Sequence, residues 1–226
     1  MDHIPHIAIL VARLSEGAAS CLASLAGQRG FREEDLFLAS GTDWAETLNR
    51  AWDTAIATER DYDAFVWIEE DLILDHGALD RLLADAAMVA DPHEPLVMAG
   101  AVLSPIRDRT VGGAFVQRDP AHPLALDLLR ADRVPQMAAS VSGEAVLVTR
   151  AAHAELGLVN ADLAGPRAAL DYGLRAFDMG LPVMLAGEPV GVLESEREAM
   201  DWSDDPAMAS LHAPNLLTRL RGAIGL

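Results

Sequence analysis

Apolar residues fall along this chain in short unbroken runs, separated by stretches in which they recur every three or four positions. His6-Ile-Ala-Ile-Leu-Val-Ala12 has no polar alternation, which fits a strand covered on both faces, as in a parallel sheet. Asp35–Ser40, Tyr62–Ile68 and Leu96–Leu103 read the same way. Between them, Ala18, Cys21, Leu22 and Leu25 share one face of a helix capped by Ser15 and ended by Gly27. Trp44, Leu48, Ala51, Trp52 and Ile56 form the stripe of a second helix, with Thr42 or Asp43 as its cap, and a third runs from near Gly77 to Val89. This alternation predicts an α/β fold with a central, mainly parallel sheet flanked by helices.

The second half is less regular. Pro105–Pro123, rich in Arg, Asp, Gly and Pro, reads as a long loop with a hairpin near Gly112-Gly113. A strand over Ala139–Thr149 is interrupted at Ser142-Gly143, and a helix starts near Arg150. Ala168–Met179 is helical, Val183–Leu193 is the last strand, and Leu211–Ile224 a short amphipathic terminal helix whose default is docking on its own domain. No repeat or linker divides the 226 residues, so one domain is expected.

Composition narrows the chemistry. All 17 basic residues are Arg against 35 acidic ones, a formal charge of −18. That balance argues against nucleic acid as a partner, and the absence of Lys excludes Schiff-base and P-loop chemistry. A lone Cys21 excludes a disulfide framework and a cysteine zinc cluster. Seven scattered histidines show no metal-binding spacing. With neither a signal peptide nor a transmembrane run legible, the expectation is a soluble, cytoplasmic protein.

Glu69-Glu70-Asp71 is the most informative place in the chain. Three adjacent carboxylates ending a buried strand repel one another, and ligand sites of open α/β sheets lie beyond the carboxyl ends of strands. Alternation predicts Glu69 and Asp71 on one side and Glu70 on the other. Paired carboxylates suit Mg²⁺ or Mn²⁺, which in turn can hold a diphosphate. The bland alternative is a solvated acidic turn.

From here the residues resemble the nucleotide-sugar-dependent glycosyltransferases of the GT-A fold, family 2 in particular. Cys21-Leu-Ala-Ser-Leu-Ala-Gly-Gln28 resembles that family's L-x-S-L-x-x-Q helix, and Gly41–Trp52 its segment with an aromatic residue and a following Asn. Phe65–Leu74 is similar to the strand carrying the D-x-D signature. Ser142–Arg150 with Leu156-Gly157 resembles the acceptor-side segment, and Leu170–Gly180 the helix bearing the base. The resemblance implies a single GT-A-type, Rossmann-like domain over 1–226: a nucleotide-sugar-binding half (1–103), an acceptor-side half (104–195), and a C-terminal tail and helix (196–226). It implies a metal-dependent, inverting transfer of a sugar from a nucleoside-diphosphate donor to a hydroxyl of a sugar, lipid-linked or protein acceptor, with a homo-oligomer possible. Asp71 and Glu69 would ligate Mn²⁺ or Mg²⁺; Thr42, Asn49, Glu69 and Glu70 would meet the donor; Gly143, Glu144 and Arg175 would lie on the acceptor side. Asp171 would be the base, held ionised by Arg175 one turn later.

The sequence departs from the family where the usual acids of that helix are Ala168 and Ala169, which leaves a catalytically inactive GT-A-like binding protein as the alternative. A nucleotidyltransferase is a more distant one, since Arg13-Leu-Ser-Glu-Gly17 lacks its Gly-rich basic loop. Glu194 could replace the family's last metal ligand but reads equally as a surface residue. Arg107, Arg109 and Arg118 read as loop residues pairing with Asp108 and Asp119. Trp202 and His212 are outside candidates for the site.

Overall fold

The computed structural model describes residues 5–13, 18–119 and 122–196. In chain order these form β1 (Ile7–Arg13), α1 (Ala19–Ala26), β2 (Leu36–Ser40), α2 (Trp44–Ala57), β3 (Ala64–Glu69), β4 (Leu72–Leu74), α3 (Ala78–Val89) and β5 (Val97–Leu103). There follow β6 (Thr110–Gly112), β7 (Ala114–Asp119), β8 (His122–Leu128), β9 (Gln136–Met137), β10 (Ser140–Val141), β11 (Ala145–Thr149), α4 (Arg150–Leu156), α5 (Pro166–Asp178) and β12 (Val183–Leu193).

The central nine-stranded sheet has the order β2-β1-β3-β11-β5-β12-β4, with β6 and β9 paired on its flank. β2, β1, β3, β5 and β12 run one way, and β11 is inserted antiparallel between β3 and β5. Continuous apolar runs thus become strands buried on both faces. One face packs under α2, α4 and α5, around Trp52, Trp67 and Tyr172. The other packs under α1 and α3, around Val66, Ile68, Leu79 and Leu82. Burying each such large side chain stabilises the fold by roughly 1.5–3 kcal/mol.

Local capping explains α2. The Asp43 carboxylate accepts the Glu46 N–H at 3.0 Å, satisfying a donor the helix cannot. Its stripe differs from expectation at the end: Ile56 is 45% exposed and Ala55 is buried in its place. The proposed cap of α1, Ser15, lies outside the described residues, and Ala18 at the N-cap makes no side-chain bond. The terminal helix, Trp202 and His212 also lie outside them.

The expected long loop of 105–123 is largely strand. β6 turns back on β5, and at Gly113, with φ +139°, the chain leaves for a three-stranded sheet of order β10-β7-β8. The interruption at Ser142-Gly143 is the return crossing, from β10 in the small sheet to β11 in the large one.

The feature that shapes the site is topological. β3 and β4 are separated by Glu70 and Asp71 alone, yet β4 lies at the far edge of the sheet. Three Cα steps reach about 11 Å at most, so the sheet must curl until its last strands stand over the tip of β3. β12 makes that bend. Its register with β5 slips between Leu185 and Pro189 and again between Pro189 and Gly191, an irregularity that bends a strand. Gly191 then lets β12 close on β4: a Cβ there would lie 2.2 Å from the Ile73 carbonyl oxygen.

Candidate functional site

β3 delivers Glu69 as its last residue. Phe65 and Trp67 face the α2/α5 layer, whereas Ala64, Val66 and Ile68 face α1 and α3; alternation turns Glu69 toward α2 and α5. Strand geometry stops there, because Glu70 and Asp71 form a turn. The alternation expected to place Asp71 beside Glu69 therefore does not apply. What brings acids together at this tip is the curl of the sheet. The Asp71 carbonyl accepts the Glu194 N–H at 2.7 Å, and the Ser195 hydroxyl donates to Asp71 Oδ2 at 3.4 Å. Glu194 in turn accepts from the Ser20 hydroxyl at 2.8 Å. Glu194, which local sequence left as a surface residue or a substitute ligand, thus stands next to Asp71.

Cys21 senses the whole cluster. Its buried thiol points at the Glu69 carbonyl at 3.4 Å. Burial, and then the charges of Asp71, Glu70, Glu194 and Glu69, push the thiol up to about 12. Four carboxylates therefore act on one point, with no Lys in the chain to offset them.

Among the described residues, no three His, Cys, Asp or Glu side chains converge into a ready-made metal cage. A hard cation that keeps its waters and takes substrate phosphates needs only one or two protein carboxylates. Asp71, the Ser195 hydroxyl and neighbouring Glu194 offer the all-oxygen donors that Mg²⁺ and Mn²⁺ prefer. On that test the residues fit.

Beside Glu69 the sheet carries small side chains. Ala12 pairs in register with Glu69 on one side and Ala39 on the other, and both alanines face the α2/α5 layer. The start of α2 covers Ala12, and there Trp44 meets Trp67 edge-on at 6.1 Å. Thr42 is exposed at this rim. Asn49 is not: its amide donates to the Val159 carbonyl at 2.9 Å and accepts the Val159 N–H at 3.1 Å, clasping α2 to the loop after α4.

The acceptor-side residues sit deeper than expected. Glu69 N–H donates to the Glu144 carbonyl at 2.8 Å, tying the acidic tip to this segment. The Glu144 side chain is 2% exposed, hydrogen-bonded by Ser142 and packed against Gly112. Gly143 adopts φ +107°, and a Cβ there would lie 2.8 Å from that of Ala169. Asp171 is 3% exposed. It accepts from Arg175 Nε at 2.9 Å, while the same guanidinium donates to the carbonyls of Leu156 at 2.8 Å and Leu158 at 3.1 Å. The expected ion pair is present, but it is a buried brace rather than an open carboxylate.

The arginines expected to pair with Asp108 and Asp119 pair elsewhere. Arg107 makes a bidentate bond to Asp75, Arg109 pairs with Glu196, and Arg118 with Asp127. The hydrogen bonds from Arg107 hold the Asp75 carboxyl below its ordinary value. Among the described residues no helix is long and apolar enough to cross a membrane.

No protein-family model matches this chain, and no curated protein matches it. Solved structures do. A structure titled A197 from STIV has 9% identity and a TM-score of 0.52, covering 88% of this chain and 100% of its own. GalNAc-T7 with UDP, GalNAc and Mn²⁺ has 10% identity and a TM-score of 0.53, covering 100% of this chain and 55% of its own. The chain thus spans about half the length of GalNAc-T7, and what it shares with it is a Rossmann-like α/β fold of the GT-A kind.

Proposed function

We propose that this protein binds a nucleoside-diphosphate sugar at the tip of β3 and transfers the sugar to an acceptor hydroxyl. The observation that carries the reading is the meeting of Asp71 with Glu194 and Ser195 at the carboxyl end of β3, in a fold shared with a UDP- and Mn²⁺-bound protein. Asp71 would hold a divalent ion, Mn²⁺ or Mg²⁺, with Glu69 or Glu194 assisting. When bound, that ion supplies the positive charge that stabilises a departing diphosphate. Glu69 stands in register with Ala12, next to Ala39, and the donor's ribose would approach this edge, with exposed Thr42 nearby. Glu70, in the same turn, would add to the field that attracts the cation. In this division, 1–103 supplies the donor side and 104–195 the acceptor side.

Asp171 favours a second reading. A base must reach the acceptor proton, and this carboxylate is enclosed and committed to Arg175. If it stays so with ligand bound, the chain is a nucleotide-sugar-binding protein that does not transfer. Otherwise Asp171 serves as the base of an inverting reaction.

One titration tests both. UDP, GDP, dTDP and CDP, each with and without Mn²⁺, should reveal one diphosphate that stabilises the fold only with metal, by about 2.7 kcal/mol at a hundredfold excess over Kd. Asp71→Ala should abolish that gain. If no diphosphate stabilises the wild-type protein in Mn²⁺, the donor site is not at this tip. Stabilisation without product from any sugar acceptor selects the binding protein.

A further inference from the structure

The opposite end of the molecule carries a second opening. A cavity of about 440 Å³ lies where β1 begins, bounded by the loop after α1 and the first turns of α3. That volume is within the range of small-molecule sites. Ile7, Ile9, Phe31, Leu79 and Leu83 give it an apolar side, and charged residues complete the lining. Ligands of α/β folds gather at the carboxyl ends of strands, so this cavity is separate from the tip of β3.

Its mouth carries charge of both signs. Arg29 and Arg32 line it and are exposed. Arg60, Arg81, Arg107 and Arg150 each pair with a carboxylate. Among the described residues Arg29 and Arg32 form no ion pair, although the chain holds 35 acids. Two acids also line the cavity. Asp35 is buried and already compensated, accepting from the Tyr62 hydroxyl at 2.9 Å and from Arg60 at 2.9 Å, with His6 Nε2 at 3.2 Å. Asp80, in the first turn of α3, is exposed to solvent that screens it.

We infer that this cavity binds a small amphiphilic anion, its apolar body between Phe31 and Leu83 and its carboxylate or phosphate head between Arg29 and Arg32. Guanidinium groups suit both heads, since paired N–H donors match two oxygens. Neither half of such a ligand suffices alone: exposed arginines hold free anions weakly, and an apolar slot does not choose among alcohols and acids.

Four probes read this directly by calorimetric titration of the full chain: octanoate, octyl phosphate, octanol and inorganic phosphate. At least one of the two anionic amphiphiles should bind, at least tenfold more tightly than octanol or phosphate. Which of them binds better separates a carboxylate from a phosphate ligand. Arg29→Gln with Arg32→Gln, a surface change that spares the core, should weaken that binding at least tenfold while leaving thermal stability unaltered. Asp80→Asn should strengthen it. Octanol binding as well as octanoate and octyl phosphate, failure of both amphiphiles, or undiminished binding by the double variant would each overturn the assignment.

Discussion

Asp71 and Asp171 stand a hundred residues apart in the chain, and the fold treats them in opposite ways. Asp71 occupies a half-exposed turn among Glu69, Glu70 and Glu194, acids that together burden the thiol of Cys21. Asp171 is sealed in α5 with a single cation, and that cation also ties down two carbonyls. On the proposed reading, the acid crowded by its own kind awaits a ligand that brings positive charge. The acid matched to an arginine in the interior braces α5 against the loop after α4. Stability and ligand response should therefore separate cleanly between the two positions.

The largest effect should come from Asp171→Ala. Removing one partner of a buried pair strands the other, and denaturant unfolding should register a loss of about 3 kcal/mol. Asp71→Ala should change stability by no more than about 0.5 kcal/mol, as ordinary surface substitutions do, while erasing the metal-dependent nucleotide response. Equal losses at both positions would break the contrast. Next in size is Gly143→Ala, which forces a side chain into a left-handed conformation and against Ala169; a cost of about 2 kcal/mol is expected by the same measurement.

Acid should act on the α2/α5 side of the molecule first. Burial holds the His153 imidazole, stacked on Trp52 at 4.5 Å, below its ordinary value. The unfolded chain therefore takes up the proton more readily. Stability should fall as pH drops below about 6.5 and continue falling to the folded value. Asp35 titrates in a different window. Burial is the strongest influence and pushes it upward, but hydrogen bonds from Tyr62, His6 and Arg60 outweigh it and leave the carboxyl low. Its contribution persists at mild acidity and is lost only as pH falls through that lowered value. His153→Gln should flatten the slope just below pH 6.5 in a thermal-melt series. The smallest effect sharpens the acidic end: iodoacetamide should modify native Cys21 far more slowly than the unfolded chain, and saturating Mg²⁺ should quicken it by offsetting the carboxylate field.

Local chemistry made much of the scaffold legible. Uninterrupted apolar runs marked β1, β3 and β5, and the choice of Thr42 or Asp43 as cap marked the start of α2, where the structure has Asp43. Pro105–Pro123 misled because Gly112, Gly113, Arg118 and Asp119 carry turn chemistry, whereas here they serve a sheet-to-sheet crossing and an exposed strand face. β4 is three residues long and has no pattern of its own. Glu194 could not be linked to Asp71, since 123 residues separate them and only the curl of β12 joins them. The burial of Asp171 left a faint trace. Ala168, Ala169 and Gly173 surround it with residues small enough for close packing, and a Cβ at Gly173 would meet Ser140 at 2.6 Å.

The bend in β12 also sets a schedule. β4 emerges early in synthesis, but among the described residues its only strand partner is β12, more than a hundred residues later. Joining segments so distant in sequence is slow, since loop closure precedes any gain from contact. A nascent chain that stops short of Val183 would carry Asp71 without Glu194 or Ser195 beside it. Assembly of the acidic tip is thereby deferred to the end of folding, and a truncated product should expose β4 as a sticky, unpaired segment.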